Sequence, residues 1–292
     1  MTKTKKSNNG STILVIGGTG IIGRHIVAAS LDAGHPTLVL VRPTAASAAV
    51  DVDSDKAKLL ASLVASGATI VYGDMNDRES LVAAIRQADV VISAVGHRGT
   101  VELDGQLKVV EAIKEAGNVK RFVPSEYGCD VEQAEEGTLE PARSIIAAKV
   151  RVREAVRAAG IPYTFICSYW AHGFMLPRLG DPLVDRPPAT VATAVEDERA
   201  ANKILYVRPP ANKLSLGQLV RLWEKKSGNT LQKRYVSDLQ LANQLAMVHS
   251  TLVAGVCEQT INPDVGAEAT ELYPEMDFLT VDSYLDALLL HA

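Results

Sequence analysis

The sequence is poor in the residues that build metal centres and disulfide frames. Its 292 residues include three cysteines, Cys129, Cys167 and Cys257, and six histidines. An odd number of widely spaced thiols without a C-x-x-C reads as reduced cysteine in a reducing compartment, and no two histidines have metal-ligand spacing. A disulfide scaffold, a metal enzyme and a thiol redox protein are therefore not expected. Long apolar runs are also missing: the stretch 88–95, interrupted by Asp89, falls far short of the roughly 20 residues that cross a bilayer. Positive charge is not in excess, since 30 Lys+Arg stand against 34 Asp+Glu, a net of −4 with the signs interspersed. No basic stripe exists to neutralise nucleic-acid phosphates or an anionic lipid surface. Residues 1–10 form a polar lead without the apolar segment of a signal peptide. The expectation is a cytoplasmic protein, monomer or homodimer, with no nucleic-acid and no membrane partner.

What is present is a hydrophobic share of 47%, enough for one large domain or two unequal ones with a sizeable core. Thr12–Ile16 is a short β-branched run ending in Gly17-Gly-Thr-Gly20, followed by a helical pattern from Ile21 to Ala33 that Gly34 closes. The alternation repeats. Strands are expected at 37–41, 68–71, 89–94, 120–123 and 163–166, and helices at 55–64, 78–87, 104–116 and 142–159. Six strands alternating with helices predict an α/β fold with a doubly wound parallel sheet. From about Cys167 prolines punctuate shorter elements: a strand at 203–207 and helices at 215–227 and 237–252. The expected organisation is a dinucleotide-binding domain over 11–166 and a smaller, irregular C-terminal substrate region over 167–292, packed on the same core and covering the carboxyl ends of the strands.

Gly17, Gly20 and Gly23 form G-x-x-G-x-x-G between the first strand and first helix. Small residues there let backbone N–H groups approach a pyrophosphate at the positive helix end, so the segment Gly17, Thr19, Gly20, Ile21, Ile22, Gly23 reads as the cradle of a Rossmann-type dinucleotide site. The plain alternative is a tight turn with no ligand. Where an acidic residue would hold a bare ribose, the second strand ends in Arg42, which suits a 2′-phosphate and favours NADPH over NADH. Lys56, opening the next helix, is a second candidate for that phosphate. An exposed strand-end charge and a solvated helix residue are the respective alternatives.

On the 142–159 helix, Ile145, Ala148, Val152, Ala155, Val156 and Ala159 make an apolar stripe, with Arg143, Arg151, Glu154 and Arg157 opposite. Lys149 falls on the apolar side without a carboxylate at i±4. An amine held against a core loses hydration and its pKa falls, which suits proton transfer near neutrality. The alternative is a lysine that snorkels its ammonium into water. Ile145 stands four residues before Lys149, so the Tyr-x-x-x-Lys pair of short-chain dehydrogenases is missing. After the sixth strand, Tyr169, Trp170, His172, Phe174 and Met175 could offer walls to an aromatic substrate. They suit ordinary packing equally well, and His172 suits a structural role.

These residues together resemble a family. The segments 17–27, 34–37, 111–122, Pro124-Ser-Glu-Tyr-Gly128, Gly160-Ile-Pro-Tyr-Thr164, 223–228 and 268–274 are similar to those of the plant isoflavone reductase-like proteins, NmrA-like atypical short-chain dehydrogenases. The group includes isoflavone, phenylcoumaran benzylic ether and pinoresinol–lariciresinol reductases. The resemblance implies an NADPH-dependent reductase of phenylpropanoid-derived aromatics, with an isoflavonoid or lignan-type small-molecule phenolic substrate. Lys149 matches the family's general acid or base. Arg42 and Lys56 match its 2′-phosphate contacts, and Ser125 and Glu126 fall where it lines the nicotinamide end. Between Leu179 and Thr193 the chain is shorter than usual for the family, which leaves the substrate region more open or the activity altered or lost. Cys129 stands where leucoanthocyanidin reductases carry a histidine, which disfavours that activity, and Tyr127 replaces a usual Phe. Two further readings follow from the shortening and the irregular C-terminal part: a non-catalytic NADPH-binding paralogue, and a protein-interaction role with the cofactor as a stabiliser.

Overall fold

Five short runs of Val, Ile and Leu become a parallel sheet because each can be buried on both faces at once. In the computed structural model, which describes residues 10–43, 55–96, 100–134, 138–169, 194–232, 235, 237–240 and 259–290, these strands are β1 (Ile13–Ile16), β2 (Thr37–Val41), β3 (Thr69–Tyr72), β4 (Val90–Ser93) and β5 (Arg121–Val123). Their order is β3-β2-β1-β4-β5. Ile13, Leu14 and Val15 are fully buried at the centre, while the edge strand β3 exposes Thr69 and Tyr72. The connecting helices are α1 (Ile21–Asp32), α2 (Asp55–Ala65), α3 (Arg78–Ile85), α4 (Val101–Asp104) and α5 (Gln106–Ala116), the last two separated at Gly105. Outward steps from β1 to β3 followed by a return to β4 and β5 place a topological switch point between β1 and β4. Chain connections leave the carboxyl ends of these two strands in opposite directions there, which opens the crevice where such sheets bind ligands.

The sixth strand departs from expectation. β6 (Thr164–Cys167) joins β7 (Lys203–Tyr206) and β8 (Gly266–Glu268) in a separate three-stranded sheet. Its link to β5 is a single parallel bridge, Phe122 to Tyr163, with the Phe122 N–H donating to the Pro162 carbonyl. Pro162 has no N–H to return, so the ladder cannot continue on that side.

The chain divides into two units that interleave along the sequence. The first comprises residues 1–126, 147–165 and 191–203, and the second residues 127–146, 166–190 and 204–292. Helix α6 (Ala142–Ala158) crosses from the second to the first. Within the first unit Arg121, buried on β5, donates to the carbonyls of Ala194 and Asp197 and ties that late segment to the sheet.

In the second unit the parallel pairing of β7 with β8 was not anticipated from the sequence. Gly266 belongs there because a Cβ at that position would come within 2.5 Å of the Tyr206 ring. Helix α7 (Leu216–Ser227) starts at Ser215, and α8 (Ala269–Leu272) follows β8 directly. Helix α9 (Val281–Leu290) packs Val281, Tyr284 and Leu285 against Leu219, Leu222 and Trp223. Asp130, buried in this unit, accepts from the Tyr206 hydroxyl at 2.6 Å and the Gln133 amide at 2.7 Å. Burial and that carboxylate push the Tyr206 phenol far above its ordinary pKa. Most of the expected 237–252 helix lies outside the described residues.

Candidate functional site

The turn from β1 into α1 includes two positions, Gly17 and Gly23, that tolerate no side chain. Gly17 adopts φ +81°, and a Cβ there would lie 2.5 Å from the Ala94 carbonyl at the end of β4. A Cβ on Gly23 would overlap the Gly17 carbonyl, so the helix start rests directly on the turn. Gly20 is the N-cap residue of α1; it offers no capping side chain, and the first turn holds no acidic residue. The first-turn N–H groups of an α-helix have no partner within the helix, and the helix dipole makes that end positive. Thr19 is partly buried, Ile21 is 52% exposed and Ile22 is partly buried beside it. Backbone donors, absent side chains and a positive helix end at the sheet's switch point are the arrangement a pyrophosphate requires.

Arg42 follows the last residue of β2 and is exposed, with Pro43 rather than a carboxylate after it. Lys56 is exposed in the first turn of α2. Residues 44–54, between these two cations, lie outside the described residues.

Beyond β5 the chain is held at several points. The Gln106 side chain pairs with Ser125 as a strand would: its Oε1 accepts from the Ser125 N–H at 2.7 Å, and its Nε2 donates to the Ser125 carbonyl at 3.2 Å. The Ser125 hydroxyl donates to the Val95 carbonyl at 2.9 Å, tying this segment to the β4 end that also meets Gly17. Glu126 is 2% exposed, and its carboxylate takes two bonds from the fully buried Arg153, Nε to Oε2 at 2.8 Å and Nη2 to Oε1 at 2.6 Å. The Arg153 guanidinium also lies 4.8 Å from the centre of the Phe165 ring. Lys149, one helical turn before Arg153, is 7% exposed and donates from Nζ to the Glu126 backbone carbonyl at 3.3 Å. The amine is thus held inside the first unit rather than extended into water. On the other side of α6, Arg151 pairs with Asp104 at 2.6 Å.

The structure brings together Ser125, Glu126 and Lys149 and adds Gln106 and Arg153, neither of which the sequence reading singled out. A signal for Arg153 existed: it lies four residues after Lys149 on the stripe of Ala148, Val152 and Val156, a second cation where apolar residues were expected. Of the proposed substrate wall, Tyr169 belongs to the second unit and adopts φ +53°, unusual for a bulky residue, with its N–H donating to Gly128 O at 2.9 Å. Its ring centre lies 6.5 Å from that of Tyr206 and 6.0 Å from the Arg208 guanidinium. Arg208 in turn pairs with Glu268 at 2.8 Å, and burial raises the Glu268 carboxyl against the opposing pull of that arginine. Trp170, His172, Phe174 and Met175 lie outside the described residues, as does the short 179–193 connection. Among the described residues no cluster of His, Cys, Asp and Glu could hold a metal ion. No described helix is long and apolar enough to cross a membrane.

A glycine elbow on the first strand of a 3-2-1-4-5 parallel sheet defines a Rossmann-type dinucleotide-binding protein, and the chain belongs to the NmrA-like family, whose model matches residues 9–187 and 184–285. Its relatives are more specific. It is 45% identical to the isoflavone reductase homolog IRL of Zea mays, over 96% of this chain and 98% of that one. It is 44% identical to eugenol synthase 1 of Petunia hybrida, over 94% and 97%. The crystal structure of an isoflavone reductase superposes with a TM-score of 0.83 at 35% identity, over 97% of this chain and all of that one. A leucoanthocyanidin reductase from Vitis vinifera, solved in binary complex with NADPH, gives 0.82 at 32% identity, over 96% and 99%. The maize alignment runs over 316 positions, more than this chain's 292 residues, so the relative carries residues that this chain lacks. The two family matches meet at 184–187, inside the stretch between Leu179 and Thr193.

Proposed function

We propose that this NADPH-dependent reductase of the isoflavone reductase-like group acts on a small phenylpropanoid-derived aromatic, of the isoflavonoid or lignan type, with Lys149 as general acid or base. The observation that carries the chemistry is the buried Lys149 amine, held by the Glu126 carbonyl in the same unit as the glycine elbow. NADPH, when bound, supplies the hydride. Gly17, Thr19, Gly20, Ile21, Ile22 and Gly23 hold the pyrophosphate through backbone donors, and Arg42 with Lys56 neutralises the 2′-phosphate. Ser125 and the backbone of Glu126 border the nicotinamide end, where the pinned Ser125 keeps the floor rigid. Lys149 delivers or removes a proton at the substrate oxygen as charge develops there. The candidates for contact with the aromatic rings remain those read from the sequence, Tyr169, Trp170, His172, Phe174 and Met175. The relatives span several phenolic chemistries by name, so the substrate is to be found by a panel. Single-turnover loss of NADPH absorbance with isoflavonoids, phenylcoumarans and lignans tests the reading. Lys149→Ala is expected to slow the productive reaction by about 10²–10⁴-fold, and unchanged turnover would remove the lysine from the chemistry.

One observation favours a second reading. The family matches meet where the chain is short, so this protein is also consistent with a paralogue that keeps the dinucleotide site and has lost part of its substrate wall. Tight NADPH binding by calorimetry, with no oxidation across the whole panel, would select it.

A further inference from the structure

We propose that Arg153 is a positioning residue: its two-pronged grip on the Glu126 carboxylate fixes the Glu126 carbonyl as the acceptor that holds the Lys149 amine, an inference that rests on Lys149 as the acid or base. Two side chains one turn apart on α6 grasp opposite ends of one residue, Lys149 at the carbonyl and Arg153 at the carboxylate. Helical neighbours at i and i+4 lie one above the other, so a single rigid element sets both contacts. The preceding residue is fixed independently, by Gln106 on its backbone and by the Val95 carbonyl on its hydroxyl. Glu126 is thereby held from its N-terminal neighbour and from its own side chain, which leaves its carbonyl little freedom to swing.

The chemical need for such a brace follows from the proposed proton transfer. An ammonium that gives up its proton keeps two N–H bonds, and one of them can still donate to the same carbonyl. The lone pair, or the third N–H, is then aimed away from the carbonyl in both protonation states. The brace itself is not the cheapest way to fill the space. Replacing a buried ion pair by apolar side chains of similar volume is often neutral or stabilising, so the directional geometry of this pair is what apolar packing could not supply.

The test reads Lys149 directly, by competitive acylation of the NADPH-loaded protein across a pH series with mass-spectrometric quantification of the modified lysine. The double variant Glu126→Gln/Arg153→Met removes both charges and leaves the net charge unchanged, so the simple electrostatic effects on the amine largely cancel. Its Lys149 midpoint is expected to fall by at least about half a pH unit, because the ammonium loses an oriented acceptor. Any productive phenolic should show its pH–rate profile moving by the same amount. Arg153→Lys keeps the charge but not the fork, and is expected to give a smaller shift in the same direction. Wild-type midpoints and profiles in both folded variants would overturn the proposal, and Arg153→Lys decides alone if the double variant does not fold. Full turnover by Lys149→Ala would instead remove the lysine chemistry, while the labelling midpoints would still report on the brace.

Discussion

Two helices of this protein begin in opposite ways. At α7 the Ser215 hydroxyl accepts from the Gln218 N–H, and the Gln218 side chain accepts in return from the Ser215 N–H, a complete capping box. At α1 the corresponding place is Gly20, with no side chain to offer and no acid in the turn that follows. Helix α3, in the same unit as α1, is capped by Asp77. A cap is typically worth about 1 kcal/mol, so omitting it at the start of α1 costs stability that an arriving anion can restore. The open start alone does not mark a site, since α4, α5 and α8 also lack a side-chain cap; what sets α1 apart is that its open donors follow the central strand at the sheet's switch point, where such sheets bind ligands.

The comparison can be broken by making α1 resemble α7. Gly20 has an extended backbone, φ −78° and ψ 174°, and a Cβ there would lie 3.2 Å from the Gly17 carbonyl, tight but not excluded. Gly20→Asp is expected to raise the NADPH Kd at least about 100-fold, since a carboxylate would occupy the donors and repel the pyrophosphate. The unliganded protein should melt no lower than the parent, because the new carboxylate caps the open helix start. Calorimetric titration with a parallel melting curve checks both halves. Arg42→Ala should weaken NADPH by about tenfold or more while leaving NADH unchanged, as measured by the ratio of the two Kd values. The mirror experiment, Ser215→Ala, opens the closed helix. It should lower the midpoint by about 2–4 °C through loss of about 1 kcal/mol, with NADPH affinity untouched.

The smallest effect belongs to a charge away from either helix start. Asp89 accepts from Lys120 at 2.9 Å and from the Thr12 N–H at 2.9 Å, and these bonds hold its carboxyl below the ordinary value of 3.8. A depressed native pKa gives stability that is present above the ordinary value and lost as pH falls through the native one. Asp89→Asn should therefore melt about 1–2 °C lower than the parent at pH 7, with the gap closing towards pH 3, in paired melting curves.

Much of the first unit was legible because its signals are local. β2 falls at Thr37–Val41 as expected, and the Gly17–Gly23 elbow could be read from spacing because each glycine answers a backbone demand. The single sheet of six strands was not legible. Tyr163–Ile166 has the pattern of a buried strand, and which sheet it joins depends on pairing across the chain, with Pro162 removing a donor. β8 was missed because Gly-Ala-Glu has little strand propensity and is placed by its fit beneath Tyr206. Arg153 was hidden because an arginine on a helix is ordinarily taken as solvated, and only the tertiary partner Glu126 shows otherwise.

Arg42 has a consequence of a different kind. It stands exposed just past the sheet's buried interior, so on the reading proposed above the preference between the two nicotinamide coenzymes rests on a side chain the hydrophobic interior does not need. Coenzyme choice can then drift, or be redesigned, one substitution at a time without disturbing the scaffold. Gly17 and Gly23 allow no such freedom, so the ability to hold a dinucleotide should outlast any particular preference among them.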